Sequence, residues 1–409
     1  MNDFDLIVWG ATGFTGALVA EYLSREYAPS TQASGNAPLK WALAGRSQTK
    51  LEALQQRLGV DVPLIQADSQ DRASLDAMVA QTSVVISTVG PYALYGNELV
   101  AACAQSGTHY CDLAGEVQWL RRIIDEHQAA AEASGAIIVP CCGFDSIPSD
   151  LGTLFVHNAM REQFDSDCAY TKFRAGPSKG GFSGGTAASL MNMMEESNND
   201  PQLQDMLANP YSLDPPNGQG GLDGPDLTLG EYDSDFESYI APFVMAGINT
   251  RVVRRSNALL DYAYGKAFRY DEATLVGSGP VGFAKAFALA AGSGMVLGAA
   301  SIPLLRSGLQ RIIPQPGEGP SAELRESGFF NVEFFARAEA NPQQVIRARV
   351  SGDRDPGYGS TAKMLSESAI ALAHGEPQVG GGLWTPASAL GTPLIDRLQA
   401  HAGLTFELR

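Results

Sequence analysis

FDLIVWGATGFTGALVAE, which occupies residues 4–21, determines the fold class expected of this chain. An apolar run ends at Gly10, glycines recur at Gly13 and Gly16, and a helical pattern follows. Gly10 allows a tight turn, Gly13 keeps a Cβ away from approaching phosphate oxygens, and Gly16 lets the helix pack closely on the strand. A strand, a glycine turn and a helix N-terminus in this order bind a dinucleotide pyrophosphate. The cofactor-binding residues predicted in this segment are Gly10, Thr12, Gly13, Phe14, Thr15 and Gly16.

The end of the second predicted strand selects between the two nicotinamide cofactors. After a polar loop at 27–38, the strand at 39–44 leads into Arg46 and Ser47, with Lys50 one helical turn later. An acidic residue here would accept hydrogen bonds from the ribose of NAD, whereas a guanidinium binds a 2′-phosphate with two hydrogen bonds. We therefore predict that Arg46, Ser47 and Lys50 bind NADP(H). The alternative is a helix-capping serine beside a solvated arginine.

Strands and helices continue to alternate up to residue 150, which predicts a Rossmann-type doubly wound parallel sheet over residues 1–150. Asp68, at the end of the third strand, should lie near the adenine, cap the next helix, or do both. The fourth strand, 83–89, stops where the nicotinamide half of the cofactor should rest. Residues in that turn either bind the cofactor or only shape the turn. The predicted contacts are Ser87, Thr88, Val89, Gly90 and Pro91.

The rest of the chain predicts a second domain, because 409 residues exceed one compact core. We assign residues 151–355 to an α+β substrate or dimerisation domain, with antiparallel strands near 330–335 and 344–350. The acidic segment 198–237, rich in Asn, Pro and Gly, is expected to be a long loop or a lid. A glycine-rich turn at 180–186 either binds an anion at the helix that follows or is only structural.

Charge and cysteine content narrow the partners and the compartment. The formal net charge is −17, from 28 basic and 45 acidic residues, so the chain should repel nucleic acid. The five cysteines form no CxxC pair and no zinc-site spacing, which predicts reduced thiols, no metal and a cytoplasmic location. The first strand begins within a few residues of Met1, which leaves no room for a signal peptide.

One apolar segment leaves three interpretations open. AFALAAGSGMVLGAASIPLL, residues 286–305, contains no charged residue and reaches the length of ~20 residues that spans a bilayer. Its alanines and glycines contribute little transfer free energy, however. The segment is therefore a buried or lid helix, a helix that contacts a membrane or lipid surface, or a span.

Eight stretches distributed over the chain resemble those of the saccharopine dehydrogenase-like oxidoreductases, in the branch that includes the mycobacterial trans-acting enoyl reductases. They are GATGFTG (10–16), ALAGRS (42–47), STVGPY (87–92), HYCDLAGE (109–116), CGFDSIPSD (142–150), SGGT (183–186), DPGYGSTAKM (355–364) and LWTPASALG (383–391). The resemblance implies an NADP-binding Rossmann domain, a second α+β domain, and a C-terminal segment, 356–409, that packs back on the first domain. It also implies reduction of a lipid-like or enzyme-bound acyl substrate in some relatives and association with membranes or lipid droplets in others.

Reduction by a nicotinamide cofactor requires a protein group that donates a proton near the reacting atoms. The candidates at predicted strand ends are Tyr92, Tyr95 and Asp145, followed by His109, Asp112 and Glu116. Asp145 and Asp150 are equally expected to cap the helix that begins near Ile147. Tyr262 and Lys266 have the spacing of the pair used by short-chain dehydrogenases, but they lie outside the Rossmann domain, so we interpret the match as coincidence.

We therefore expect an NADP(H)-dependent reductase of a C=C or C=O bond in an apolar substrate, either a small molecule or carrier-bound. The alternative is a non-catalytic NADP-binding scaffold at a membrane or lipid surface. An amino-acid dehydrogenase is less favoured, since Arg251, Arg254 and Arg255, on a predicted strand, would alternate between faces instead of converging on a dicarboxylate. The sequence leaves open a peripheral lipid contact and a homodimer.

Overall fold

The computed structural model describes residues 2–27, 39–181, 184–301 and 319–409. The predicted polar loop lies outside the described residues except for Tyr27. Phe182 and Ser183 of the second glycine-rich turn, and residues 302–305 of the apolar segment, also lie outside them.

Within the described ranges, the first sheet has seven strands, all parallel. They are β1 (Phe4–Trp9), β2 (Trp41–Gly45), β3 (Leu64–Gln66), β4 (Thr82–Ser87), β5 (His109–Asp112), β6 (Ile137–Val139) and, from the C-terminal part of the chain, β13 (Gly382–Leu383). The connecting helices are α1 (Phe14–Glu26), α2 (Gln48–Leu58), α3 (Arg72–Val79), α4 (Tyr92–Tyr95), α5 (Asn97–Ser106) and α6 (Val117–Ser134).

The strand order is β13-β6-β5-β4-β1-β2-β3, which confirms the predicted doubly wound sheet. Apolar strands with both faces covered are typical of such sheets, and the side chains of Leu6, Val8, Val84 and Ile86 are fully buried. The order reverses between β1 and β4, so a crevice forms at their carboxyl ends, where doubly wound folds bind dinucleotides.

The second sheet is mixed, with the order β14-β12-β11-β7-β10-β9-β8 and one parallel pair, β7 with β10. Its strands are β7 (Cys168–Lys179), β8 (Glu231–Asp233), β9 (Ser238–Pro242), β10 (Arg269–Gly277), β11 (Phe329–Ala338), β12 (Val345–Gly352) and β14 (Leu404–Leu408). The helices of this half are α7 (Ile147–Phe164), α8 (Gly184–Asn199), α9 (Pro201–Ala208), α10 (Ala246–Leu259), α11 (Gly279–Ser301), α12 (Ala322–Glu326), α13 (Thr361–Ala373), α14 (Pro386–Ala389) and α15 (Gly391–His401), with a π-helical turn at Pro356–Ser360. The predicted antiparallel strands are β11 and β12.

The C-terminal segment contacts both sheets, because β13 extends the first sheet and β14 the second. Glu367 of α13 is fully buried and joins this segment to α1. Its carboxylate accepts hydrogen bonds of 2.7 Å from the hydroxyls of Tyr22 and Tyr27 and forms a 2.8 Å ion pair with Arg397. A buried charge with three partners holds the elements around it in one arrangement.

The prediction of a continuous loop over 198–237 is wrong, because α9 and β8 lie within it. Asp200 caps α9 by accepting hydrogen bonds from the N–H groups of Gln202 and Leu203, and Pro201 occupies the first helical position. Asn, Asp and Pro are typical of loops, but they are also typical of helix starts.

Arg251, Arg254 and Arg255 lie on the helix α10 and not on a strand, which corrects the prediction for this segment. All three are buried and already have partners. Arg251 pairs with Asp226 at 2.8 Å and Arg254 with Asp223 at 2.7 Å. Arg255 donates to the carbonyls of Leu213 and Leu383 at 2.6 and 2.7 Å. These arginines stabilise the fold, so the cluster supplies no site for a dicarboxylate.

The described part of the apolar segment belongs to α11, and its interpretation as a buried helix is wrong. The helix packs on the second sheet through three small residues, Gly282, Ala286 and Ala290. The larger side chains point away, so that Val281 is 66% exposed and Met295 69% exposed. Among the residues that the structure describes, no helix has the length and hydropathy required to cross a membrane.

Candidate active site

The glycine turn between β1 and α1 has the geometry of a phosphate-binding turn. Gly10 has a φ of +81°, which favours glycine, and its carbonyl accepts a 2.9 Å hydrogen bond from Gly13. A Cβ on Gly16 would overlap the Gly10 carbonyl oxygen, so this position also requires glycine. The N-cap residue of α1 is Gly13, no side chain caps the helix, and its first turn contains no acidic residue. The first N–H groups and the helix dipole are therefore available to an anion.

Thr12, Phe14 and Thr15 lie in or beside this turn, whereas Thr88 and Ser87 lie beneath it. The hydroxyl of Thr88 donates to the carbonyls of Trp9 and Gly10, at 3.1 and 3.2 Å. Ser87 is buried. These two predicted contacts shape the crevice from below, while Val89, Gly90 and Pro91 emerge from β4 and are at least partly exposed.

The end of β2 presents the cation expected for NADP. Arg46 is exposed and has no ion pair with any of the described residues. Ser47 caps α2 by accepting a 3.4 Å hydrogen bond from the N–H of Lys50, which was the structural alternative for this serine. Capping and cofactor binding are compatible, because a serine hydroxyl both accepts and donates.

Asp68 follows β3 but does not cap the next helix, which corrects one of its two predicted roles. The cap of α3 is Asp71, whose side chain accepts from the N–H of Ala73. Asp68 instead accepts a 3.0 Å hydrogen bond from Gln70 within the turn. Its predicted place near the adenine stays a prediction.

Glu116, predicted as a candidate proton donor, instead organises the loop after β4. Its buried carboxylate accepts hydrogen bonds from the N–H groups of Tyr92 at 2.8 Å and Ala93 at 2.9 Å, and from the hydroxyl of Ser189 at 2.7 Å. Burial raises the pKa of Glu116. Ser189 belongs to α8, and its Oγ lies 3.8 Å from where a Cβ on Gly90 would stand. A residue of the second half of the chain thus reaches the end of the crevice where the nicotinamide is expected.

Asp112 and His109 support the sheet and do not face the crevice. The carboxylate of Asp112 accepts from the Tyr110 hydroxyl and from the N–H groups of Ala114 and Cys141, and burial raises its pKa to about 7. His109 begins β5, at the opposite end of the strand from the crevice, and its Nδ1 accepts from Ile137.

The three predicted catalytic residues occupy different environments. Tyr92 is buried, its hydroxyl donates to the Ser87 carbonyl at 3.0 Å, and burial raises its pKa. Tyr95 ends the short helix α4 and is partly exposed. Asp145 is partly buried in the loop after β6, and burial raises its pKa to about 6. Its carboxylate has no hydrogen-bond partner among the described residues.

Neither Asp145 nor Asp150 caps α7, which corrects that alternative. The N-cap is Ser146, without a side-chain hydrogen bond. Asp150 is fully buried and accepts from the Ser256 hydroxyl and the Ala387 N–H, so it joins α7 to α10 and α14. Asp145 is different, because its Oδ2 faces Gly115 of the loop after β5, 3.7 Å from where a Cβ would stand.

The carboxyl ends of three neighbouring strands thus bring together Val89–Pro91, Leu113–Glu116 and Cys142–Ser146. The Leu113 N–H lies 3.5 Å from the Tyr92 hydroxyl, which connects the first two loops. Ser189 had only a weak sequence signal, the glycine-rich turn before α8. Arg325 and Tyr358 contact Phe14 beside the phosphate turn, and each lies more than 300 positions away from it in the sequence. Arg325 had no sequence signal, whereas Tyr358 lies in one of the stretches that carry the family resemblance.

Comparison with known proteins agrees with this geometry. Residues 6–139 match the family described as the saccharopine dehydrogenase NADP binding domain. A Mycobacterium tuberculosis protein with the provisional name trans-acting enoyl reductase is 40% identical to this chain. The alignment covers 99% of this chain and 97% of the relative. The trans-acting enoyl reductase of Mycobacterium ulcerans is 36% identical, covering 97% and 96% of the two chains.

A solved structure shares the fold of the whole chain. Saccharopine dehydrogenase (L-Glu forming) from Saccharomyces cerevisiae aligns over 99% of both chains with a TM-score of 0.53 at 12% identity. Together with the parallel sheet and its glycine turn, the full-length identities show that this chain is an NADP-dependent oxidoreductase and belongs to the saccharopine dehydrogenase-like family, in the branch of the trans-acting enoyl reductases.

Proposed function

We propose that this protein is an NADPH-dependent enoyl reductase that acts on the C=C bond of an apolar acyl thioester, either free or carrier-bound. The full-length identity of 36–40% to trans-acting enoyl reductases supports the reaction class. The observation that carries the proposal is the Asp145 carboxyl, which has no partner among the described residues and a pKa raised to about 6, in the loop beside the nicotinamide end of the crevice.

The residues of the crevice fit the cofactor, because the uncapped N-terminus of α1 suits a pyrophosphate and Arg46 suits a 2′-phosphate. When bound, NADPH supplies a hydride to the β-carbon of the enoyl group, and a proton is then needed at the α-carbon. Asp145 holds that proton on its carboxyl group, since a pKa near 6 leaves a useful protonated fraction at neutral pH. Tyr92 holds the loop in place and does not donate the proton, because its hydroxyl already donates a hydrogen bond to the Ser87 carbonyl.

The test is the oxidation of NADPH by the purified full chain, followed by absorbance, with enoyl thioesters of several chain lengths, ketones, and amino-acid and oxo-acid pairs. We expect turnover with enoyl thioesters and a preference for longer, apolar chains. Turnover with the amino-acid pair alone would contradict the proposal. Tight NADPH binding without turnover on any substrate would favour the scaffold alternative.

One observation favours a lipid contact beside the reaction. The exposed side of α11 carries Val281, Phe283, Phe287, Leu289 and Met295, and exposed apolar patches of this kind mark interaction surfaces. We propose that this surface contacts an apolar partner such as a lipid surface. Flotation with zwitterionic vesicles should recover the protein, and replacing Phe283 and Phe287 by Ser should abolish recovery. Light scattering that shows a stable dimer, lost in the same variant, would instead assign the surface to a second copy.

A further inference from the structure

The second half of the chain covers the phosphate turn directly. Phe14, the first residue of α1, packs edge-on against the ring of Tyr358, with 5.1 Å between the ring centroids. Gly319 lies so close to the Phe14 ring that a Cβ there would overlap it. The helix N-terminus expected to receive the cofactor pyrophosphate therefore lies under α12 and the π-helical turn.

Arg325 of α12 is held at this junction. Its guanidinium carbon lies 5.4 Å from the centroid of the Phe14 ring, and its Nη1 donates to the Pro320 carbonyl at 2.6 Å. Its own carbonyl accepts a 3.1 Å hydrogen bond from the Asp355 N–H. The Asp355 carboxylate in turn binds the N–H groups of Tyr358 and Gly359, at 3.1 and 2.8 Å. The contacts with Phe14 and Pro320 hold the guanidinium, and the hydrogen bond from Asp355 holds the backbone of α12 beside the π-helical turn.

Arg325 differs from the other arginines of this half in what it pairs with. Many of them form ion pairs with carboxylates, among them Arg174, Arg251, Arg254, Arg337 and Arg349. No carboxylate lies within 4.0 Å of Arg325 among the described residues, and its Nε and Nη2 have no hydrogen-bond partner there. The Asp355 carboxylate is near enough to interact electrostatically with Arg325 but forms no ion pair with it. In a chain with a net charge of −17, a positioned cation that forms no ion pair with a described residue, beside an anion-binding turn, requires an explanation.

We infer that Arg325 is a cofactor-binding residue, and that its guanidinium binds the pyrophosphate of the dinucleotide opposite the N–H groups of α1. A planar guanidinium matches phosphate oxygens with two hydrogen bonds, and its stacking on Phe14 leaves the edge of the fork available. The cofactor is then bound by both halves of the chain. Arg46 binds the 2′-phosphate, which only NADPH has, and Arg325 binds the pyrophosphate, which NADPH and NADH share.

The experiment measures the dissociation constants of NADPH and NADH for the full chain by fluorescence titration. Arg325→Gln should weaken the binding of both cofactors by about tenfold or more and by the same factor, since a charge-assisted hydrogen bond is lost in each complex. Arg46→Gln should weaken NADPH alone. Glu326→Gln, an exposed change on the same helix, should alter both constants by less than about twofold.

Three results would overturn the inference. They are unchanged binding of both cofactors by Arg325→Gln, loss of NADPH binding alone, and a loss that does not diminish as salt concentration rises. If Arg325→Gln lowers the melting temperature of the cofactor-free protein, the Arg325→Lys variant decides the question. A cofactor affinity of Arg325→Lys between those of wild type and Arg325→Gln supports the inference. A cofactor affinity equal to that of wild type contradicts a role for the planar guanidinium. All of these are binding measurements, so they are independent of whether enoyl thioesters are substrates.

Discussion

The hydroxyl of Ser189 donates a 2.7 Å hydrogen bond to the carboxylate of Glu116, and this contact joins α8 of the second half to the loops that border the nicotinamide end of the crevice. The same carboxylate holds the N–H groups of Tyr92 and Ala93, so the position of α8 and the shape of the loop after β4 are coupled. This relationship gives the first prediction.

Ser189→Ala should lower kcat several-fold while the affinity for NADPH changes little. The reason is that the variant loses only the contact between α8 and Glu116, and the phosphate turn is untouched. The expected loss of stability is about 1 kcal/mol, typical of one buried hydrogen bond. Steady-state kinetics and a cofactor titration check both parts. Ser197→Ala is the matched control on the same helix and should behave as wild type, because among the described residues the Ser197 hydroxyl bonds to the Met194 carbonyl alone.

Asp145→Asn should remove the alkaline limb of the pH profile, which is the fall in rate as pH rises. The raised pKa of about 6 means that the protonated, donating form of Asp145 is lost as pH rises through 6. Wild-type kcat should therefore fall by about tenfold for each pH unit above that value, and the variant should show a low, flat rate. A variant that retains the wild-type pH profile would exclude Asp145 as the proton donor.

The stability of the protein should decrease as pH rises from about 4 to 7. Burial raises the pKa of Asp112, Asp150 and Glu272 to about 7. The folded state then binds more protons than the unfolded state across that window, so unfolding releases protons and a rise in pH favours it. Each group contributes at most about 1.4 kcal/mol per pH unit.

Glu272→Gln tests this effect at one group. Glu272 accepts hydrogen bonds from Tyr270 at 2.8 Å and Asn249 at 3.0 Å, and Gln resembles its protonated form. The free energy of unfolding, measured in denaturant from pH 4 to 8, should vary less with pH in the variant than in wild type. An equal slope in the two proteins would mean that Glu272 is ionised in the folded state throughout this range.

Arg46→Asp should shift the preference from NADPH toward NADH. The variant places a carboxylate where the 2′-phosphate is expected to bind, and the same carboxylate can accept hydrogen bonds from the ribose of NAD. NADPH affinity should fall at least about tenfold and NADH affinity should rise. Arg57→Asp, the same change of charge at the exposed far end of α2, is the control and should leave the ratio of the two constants unchanged.

Local sequence signals were sufficient for the first sheet and for the glycine turn between β1 and α1. Apolar runs followed by glycine and by helix periodicity predicted the parallel strands, and the order of these elements predicted the phosphate turn. The same kind of signal failed where a residue type fits two structures. The polar residues around Pro201 predicted a loop but begin α9, and the arginines near 251–255 predicted a strand but lie on α10.

Ser189 and Arg325 could not be selected from the sequence in the same way, and Asp145, although predicted as a catalytic residue, could not be ranked above Tyr92 and Tyr95. A serine, an arginine and an aspartate are common on any surface, and each acquires a role only from what lies across the crevice. Ser189 is 73 positions from Glu116, and Arg325 lies more than 300 positions from Phe14. These contacts form only because the second half of the chain packs on the first.

The sequence alone determined the Rossmann-type sheet, the phosphate turn at Gly10–Gly16 and the family, because the periodicity and glycine spacing that specify them lie within short segments. Only the tertiary structure decided which carboxylates are committed to internal hydrogen bonds and which cations form no ion pair with the described residues. Burial and pairing arise from residues far apart in the chain, so they raise the pKa of Asp145 and position Arg325 only when the two halves are packed together.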